Sequence, residues 1–156
     1  MLTLLPVVLL LISALVVFTL RFLPRGTGYA YLTSIIMMLI IWGGVLASHW
    51  LSLTPIEIAP WRPFDPITAD PIRYGWDEIS WPFSLALVSA CLAILMTASA
   101  RLQLRSNPAT WAANMGVAAL GILVVMAETP LAFVLALVPL DTLDFLVVLR
   151  LSRTWR

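Results

Sequence analysis

Asp141 and Asp144 are the two residues best placed to do chemistry, because they interrupt an apolar run that is otherwise long enough to cross a bilayer. Three positions apart, they share one face of a helix. A carboxylate near the bilayer centre costs about 2.5 to 3.5 kcal/mol on insertion scales, so such a pair needs a reason to be there. One reason is a proton or cation pathway, for which Pro139 just before the pair would free backbone carbonyls and favour a kink. The other is assembly: Asp144 stands one and a half turns from Arg150, and the pair would bond polar groups of a partner subunit. His49 is the one histidine, beside Trp50 at the end of an apolar run. It is a candidate ligand for a haem or chlorophyll, though one histidine cannot supply both axial ligands. The alternative is an interfacial ring that hydrogen-bonds solvent or backbone. Cys91 is the only cysteine, so no intrachain disulfide or multi-thiolate site is possible. Phosphate-binding glycine loops, dinucleotide fingerprints and Cys or His pairs at metal spacing are absent. No metal and no cofactor are expected, and no catalytic residue of the soluble-enzyme kind.

The elements that hold these residues follow from composition. The 156 residues are 62% apolar and 11% charged, against the roughly 25% charged of a soluble domain. Mean hydropathy is +1.01. A water-soluble fold is excluded, and nine arginines balanced by eight acids offer no cationic surface for nucleic acid. The apolar runs predict a single all-α transmembrane domain of about five spans, at 2–23, 29–51, 81–100, 111–127 and 131–149. The first run is too long for a signal-peptide core, and its arginines, Arg21 and Arg25, stand at its far end rather than before it. Between spans two and three, residues 52–80 carry five prolines and most of the acids, which predicts an extended extramembrane loop with one short strand or helical turn. Trp50, Trp61, Trp76 and Trp81 border or populate it, as amphipathic indoles do at the headgroup level. Small residues recur at four-residue spacing in span three (Ser89, Ala93, Thr97) and span four (Ala112, Gly116), marking faces where helices can approach closely.

Arginine sets the orientation. Seven of the nine fall after spans one and three and in the C-terminal tail, and two, Arg62 and Arg73, fall in the acidic loop. Since basic residues concentrate in cytoplasmic loops, the N-terminus and the proline-rich loop are expected outside and the C-terminus in the cytoplasm, as for a bacterial inner (plasma) membrane protein.

The order of these features resembles a known family, the N-terminal part of the antiporter-like, proton-translocating membrane subunits of respiratory complex I and related cation/proton antiporters. The segment YGWDEISWPFSLALVSACLAILMTA, residues 74–98, is similar to the family's entry into its third helix, with an aspartate and a serine. The segment GVAALGILVVMAETPLAFVLALV, residues 116–138, resembles its fourth helix, acidic turn and start of its fifth. Setting Glu128 on the acidic turn and Phe145 on the family's later aromatic puts the conducting glutamate's position at Val138 and the preceding Trp's at Leu137. Asp141, three residues on, would be a displaced carboxylate. The family's lysines have no counterpart, as this chain has no lysine.

The resemblance implies a truncated, degenerate antiporter-like chain that catalyses nothing by itself. It would serve as a structural or accessory subunit of a proton-translocating, energy-converting complex, with other membrane subunits and lipid as partners. Two other readings stay open. One is a proton- or cation-translocating half-subunit that uses Asp141 and Asp144 with partner chains, and the other is a scaffold for pigment or haem through His49. A reporter fused after Arg156 is expected on the cytoplasmic face; activity on the opposite face would overturn the five-span reading.

Overall fold

Continuous apolar sequence in lipid has one economical solution, the α-helix, because it satisfies every backbone donor and acceptor within the segment. The computed structural model describes residues 2–22, 26–51, 54–58, 71–100 and 108–153. Five α-helices dominate: α1 Leu5–Leu20, α2 Gly26–Ser48, α3 Ser80–Ala100, α4 Pro108–Val125 and α5 Pro130–Arg153. Four of them, α2 to α5, are long and apolar enough to cross a membrane. The protein is therefore an integral membrane protein by length and composition. α1 is shorter than its apolar run predicts. Pro6, in its first turn, has no N–H to give the carbonyl four residues back, and the chain before it tightens into a 3₁₀ turn, Leu2–Leu4. Together the 16 α-helical and three 3₁₀ residues still reach about 30 Å. At the other end, the N–H groups of Arg21 and Phe22 turn back to carbonyls three residues away, and α1 stops.

The helices run alternately up and down. One end of the bundle collects Thr3, the end of α2, the start of α3 and the α4–α5 turn; the other collects Arg21 and the last residue of α5, Arg153. We call these the hairpin end and the arginine end. Arg25, Arg62, Arg101, Arg105 and Arg156, which contribute to the charge asymmetry, lie outside the described residues.

In place of one short strand, the proline-rich segment supplies two: β1 Ile56–Ile58 and β2 Ile72–Tyr74, antiparallel, with Ile56 opposite Tyr74 and Ile58 opposite Ile72. Ile72 and Tyr74 point inward and are buried, while Arg73, between them, faces out and pairs with Glu57 at 3.2 Å. Both partners of this pair are well exposed, so it contributes at most about 1 kcal/mol. The strand's edge is more consequential. Tyr74 bridges to Ala127, the N–H of Gly75 donates to the Met126 carbonyl at 2.9 Å, and the N–H of Glu128 donates to the Arg73 carbonyl at 3.0 Å. The hairpin thereby extends onto the α4–α5 turn. The buried Tyr74 hydroxyl reaches over that turn to the Ala132 carbonyl, 3.1 Å away. Gly75 lets this seam close: a Cβ there would push aside the Glu128 carboxyl and press on Pro55.

Tryptophans tie the same end together. Trp76 donates its indole N–H to the Thr3 carbonyl at 2.9 Å, while the Thr3 hydroxyl donates to the Thr54 carbonyl at 2.7 Å. Trp81 donates to the Val45 carbonyl at 2.9 Å, which also accepts the Ser48 hydroxyl at 2.6 Å where α2 ends and the His49 N–H turns to Leu46. Trp76 and Trp81, both half-buried, thus clamp this end of the bundle through backbone carbonyls. Trp50 is 73% exposed, and Trp61 lies outside the described residues.

α3 is launched by a reciprocal cap. The Asp77 carboxylate accepts from the N–H groups of Ile79 (3.1 Å) and Ser80, and the Ser80 hydroxyl accepts from the Asp77 N–H at 2.7 Å. These bonds, the Ser80 N–H first, hold the Asp77 carboxyl below its ordinary range. A carboxyl whose folded pKa is lowered stabilises the fold above its unfolded pKa, and that contribution fades as pH falls through the folded value. Asp77→Ala is expected to lower stability in detergent by about 1 kcal/mol at neutral pH. In thermal melts the gap to wild type should narrow under acid, and a gap independent of pH would show that the carboxylate is not the cap.

Candidate functional site

The site begins with how α4 packs. Ala109, Ala112, Met115, Gly116, Ala118, Ala119 and Ile122 are buried along it, and α1, α3 and α5 each pack against it. Small side chains let neighbouring helices approach closely where lipid gives no hydrophobic drive. At Gly116 a Cβ would meet Leu143 of α5 at 3.1 Å, so the glycine admits that helix. Ala112 and Gly116 thus serve close packing within the chain. The comparable residues of α3 do otherwise: Ser89, Ala93 and Thr97 face outward, and Ser89 accepts the Trp42 indole N–H of α2 at 3.0 Å.

α5 is held only on one side. Half of the α4 span is buried inside the bundle, but only 11% of the α5 span. Ala132 and Ala136 of α5 are fully buried, which fixes the helix rotation. Asp141 and Asp144 consequently fall on its outward side, both exposed. No described side chain bonds or pairs with either carboxylate. α5 remains helical through Pro139, and the Thr142 hydroxyl donates to the Pro139 carbonyl at 2.9 Å. The structure brings the two carboxylates together on one surface, and the interior contributes no titratable partner among the described residues.

The outward surface has an order of its own. Val134, Val138, Asp141, Phe145 and Val148 succeed one another at spacings of four, three, four and three, and all are exposed. That is the spacing of a seam along which one helix packs against another. Asp141 is its central member, eleven residues or about 16 Å from the start of α5. Val138 sits one turn before it on the same seam. Sequence reading missed this series because apolar residues surround it on all sides of α5 and the two aspartates alone do not show which way they point.

A second feature lies on the other side of α5. α1 and α5 flank α4 without closing over it, leaving an apolar groove of about 600 Å³. Ala109, Ala112, Ala113, Gly116 and Leu120 form its floor; Leu11, Ala14 and Phe18 line one wall, and Pro139, Leu143, Leu146 and Val147 the other.

The remaining sequence candidates are separate from both features. His49 is exposed at the hairpin end, its ring 4.4 Å from that of Trp81 and edge-on to Trp50. Cys91 is buried in α3. Among the described residues, no three His, Cys, Asp or Glu side chains are grouped to hold a metal. Ser84, fully buried on α3, has a hydroxyl with no hydrogen-bond partner among the described residues.

No protein family model, curated protein or solved structure matches the chain. The chemistry is therefore read from the geometry, which presents two carboxylates outward at mid-helix. A lipid-soluble, carboxyl-directed carbodiimide is expected to modify Asp141 of the isolated chain in vesicles. Asp141→Asn should abolish the adduct at that position, and an unreactive wild-type Asp141 would mean that the chain itself covers the carboxyl.

Proposed function

We propose that this chain is a non-catalytic accessory subunit of a multi-subunit, energy-converting membrane assembly, docked to a neighbouring membrane chain through the outward face of α5. The single observation that carries the reading is the exposed seam Val134, Val138, Asp141, Phe145 and Val148 with an unpaired carboxylate at its centre. Lipid can match the valines and the phenylalanine but cannot solvate Asp141 or Asp144, each worth about 2.5 to 3.5 kcal/mol of insertion cost. A partner helix removes that cost by presenting a lysine or arginine at the same depth. A second copy of this chain cannot, since it has no lysine and, among the described residues, its arginines stand in strand β2 or at the ends of α1 and α5. The partner is accordingly a different protein with a cationic transmembrane helix.

The kind of assembly comes from the resemblance to antiporter-like subunits. On that reading the hairpin end, with Glu57, Asp77, Glu78 and Glu128, faces outside, and the arginine end faces the cytoplasm of a bacterial inner membrane. Asp77 and Ser80, which the resemblance places at the entry to the third helix, form the cap of α3. A second reading is favoured by one observation: Asp141 lies on the same outward stripe as Val138, the position corresponding to the family's conducting glutamate. In that case Asp141 and Asp144 would carry protons jointly with a cation on the partner.

The two readings part on one experiment. Asp141→Asn with Asp144→Asn is expected to cost the chain its co-purifying membrane partner after mild detergent extraction. Removing one member of a buried ion pair typically costs about 3 to 5 kcal/mol, or a hundredfold or more in affinity. Wherever assembly survives, proton uptake by reconstituted vesicles should be unchanged. Intact assembly with lost proton uptake would install the translocating half-subunit, and intact assembly with intact uptake would remove α5 as the docking surface.

A further inference from the structure

α5 is one helix in its backbone but two in its contacts. Its first half is fixed from several sides: the Tyr74 hydroxyl donates to the Ala132 carbonyl, the Phe133 N–H donates to the Thr129 carbonyl, and Ala132 and Ala136 are fully buried. Beyond Ala136 the burial stops, and from Leu137 to Leu149 every residue is exposed or half-buried. Leu143 still approaches α4 at Gly116. The change falls at Pro139, because the α5 residues that line the groove, Pro139, Thr142, Leu143, Leu146 and Val147, all stand at or after it. The groove therefore borders the second half of the helix and not the first, and a bend at the proline has room on that side.

The backbone is weakest at the same place. Pro139 has no N–H to give the Leu135 carbonyl, and its ring crowds that group, so the helix loses one rung of its ladder. The next turn is loosened by Thr142, whose hydroxyl takes the Pro139 carbonyl at 2.9 Å, a side-chain bond that competes with the ladder and bends helices. Sharp bends in helices are caused by prolines or by side chains inserted into the ladder, and here both occur within one turn.

We infer that residues 140–149 of α5 form a hinged docking arm that pivots at Pro139, mobile in the free chain and held at one angle by the docked partner. The acidic seam crosses the pivot: Val134 and Val138 stand before it, and Asp141, Phe145 and Val148 after it. A helix lying along all five must hold the arm at a single angle. That capture rests on the docking reading above, whereas the pivot is a property of the chain alone. A change of about 20° at the proline displaces Val148, about 14 Å farther along the helix, by about 5 Å. Asp141, two residues past the pivot, moves only about 1 Å, so the carboxylate keeps its depth while the end of the arm swings.

The test uses the full chain in phosphatidylcholine vesicles, with Cys91→Ala so that nitroxide labels attach only at introduced cysteines. One pair, Leu32→Cys with Val148→Cys, joins an exposed position of α2 to the arm, and a second, Ile40→Cys with Val134→Cys, joins α2 to the fixed half. Distances from pulsed electron paramagnetic resonance are expected to spread about 5 Å more widely for the first pair than for the second. Pro139→Ala, which restores the missing N–H, should narrow the first pair to the width of the second. Equal widths with Pro139 in place would overturn the proposal. A wide first pair that Pro139→Ala leaves wide would overturn it too, by placing the motion at a fraying helix end. The comparison of the two pairs needs no change at the pivot, so failure of Pro139→Ala to fold would not shield the proposal. In the assembly extracted with its membrane partner the first pair should also narrow, and a width equal to that of the isolated chain would overturn the capture of the arm. Partner retention by the chain with Asp141→Asn and Asp144→Asn tests the docking reading itself, so the two fail separately.

Discussion

The rest of this structure depends on the close approach that α4 permits. Its alanines and Gly116 bring α1 and α5 down onto one helix, and dispersion between closely packed atoms has to supply what the hydrophobic effect supplies in water. Because α4 is thin, the two helices stand above it as walls, and the trough between them is a direct result of side-chain size. The same approach rotates α5 until Ala132 and Ala136 are inside. That rotation leaves Asp141 and Asp144 outside. One packing choice thus sets both the groove and the acidic seam.

The hairpin end supplies the complementary constraint. A turn between two membrane helices exposes the last carbonyls of one and the first N–H groups of the next. Here strand β2 and the residues flanking it supply partners for Met126 and Glu128, and the buried Tyr74 hydroxyl supplies one for Ala132. Burial raises the Tyr74 pKa, so the hydroxyl remains a donor through ordinary conditions. With Trp76 on Thr3 and Trp81 on Val45, the N-terminus, α2, α3 and the α4–α5 turn are joined through backbone carbonyls. Such bonds are strong where water is scarce and cannot be exchanged for solvent at no cost.

Much of this was legible in the sequence, and the limits have physical causes. Five helices and one intervening loop could be read because each apolar run is long and the prolines cluster between Pro55 and Pro82. Helix ends shifted by a few residues where local chemistry decided them, as at Pro6, which shortens α1, and Asp77, which caps α3. The hairpin could not be read, since its strands are three residues each and 13 residues apart, and β2 also bridges to Ala127, far along the chain. Nor could the direction of the aspartates. An amphipathic helix in water declares its buried face by contrast, whereas α5 is apolar on its inner side and over most of its outer one, and the alanines at 132 and 136 mark the inner side. The two tryptophans are held for a related reason: an indole N–H seeks any acceptor, and the Thr3 and Val45 carbonyls lie within reach.

α5 therefore separates two environments that could not be exchanged. Its groove side presents Leu143, Leu146 and Val147, and the one hydroxyl there, that of Thr142, is occupied by the Pro139 carbonyl. Its outer side carries charge at mid-depth, where no lipid has an ionic group to offer. An acyl chain placed on the outer seam would leave both carboxylates unsolvated. A cationic helix placed over the groove would find no carboxylate on the α5 wall and would have to bury its own charge against alanine and leucine. The positions of the charges along the helix, more than their number, distinguish its two sides.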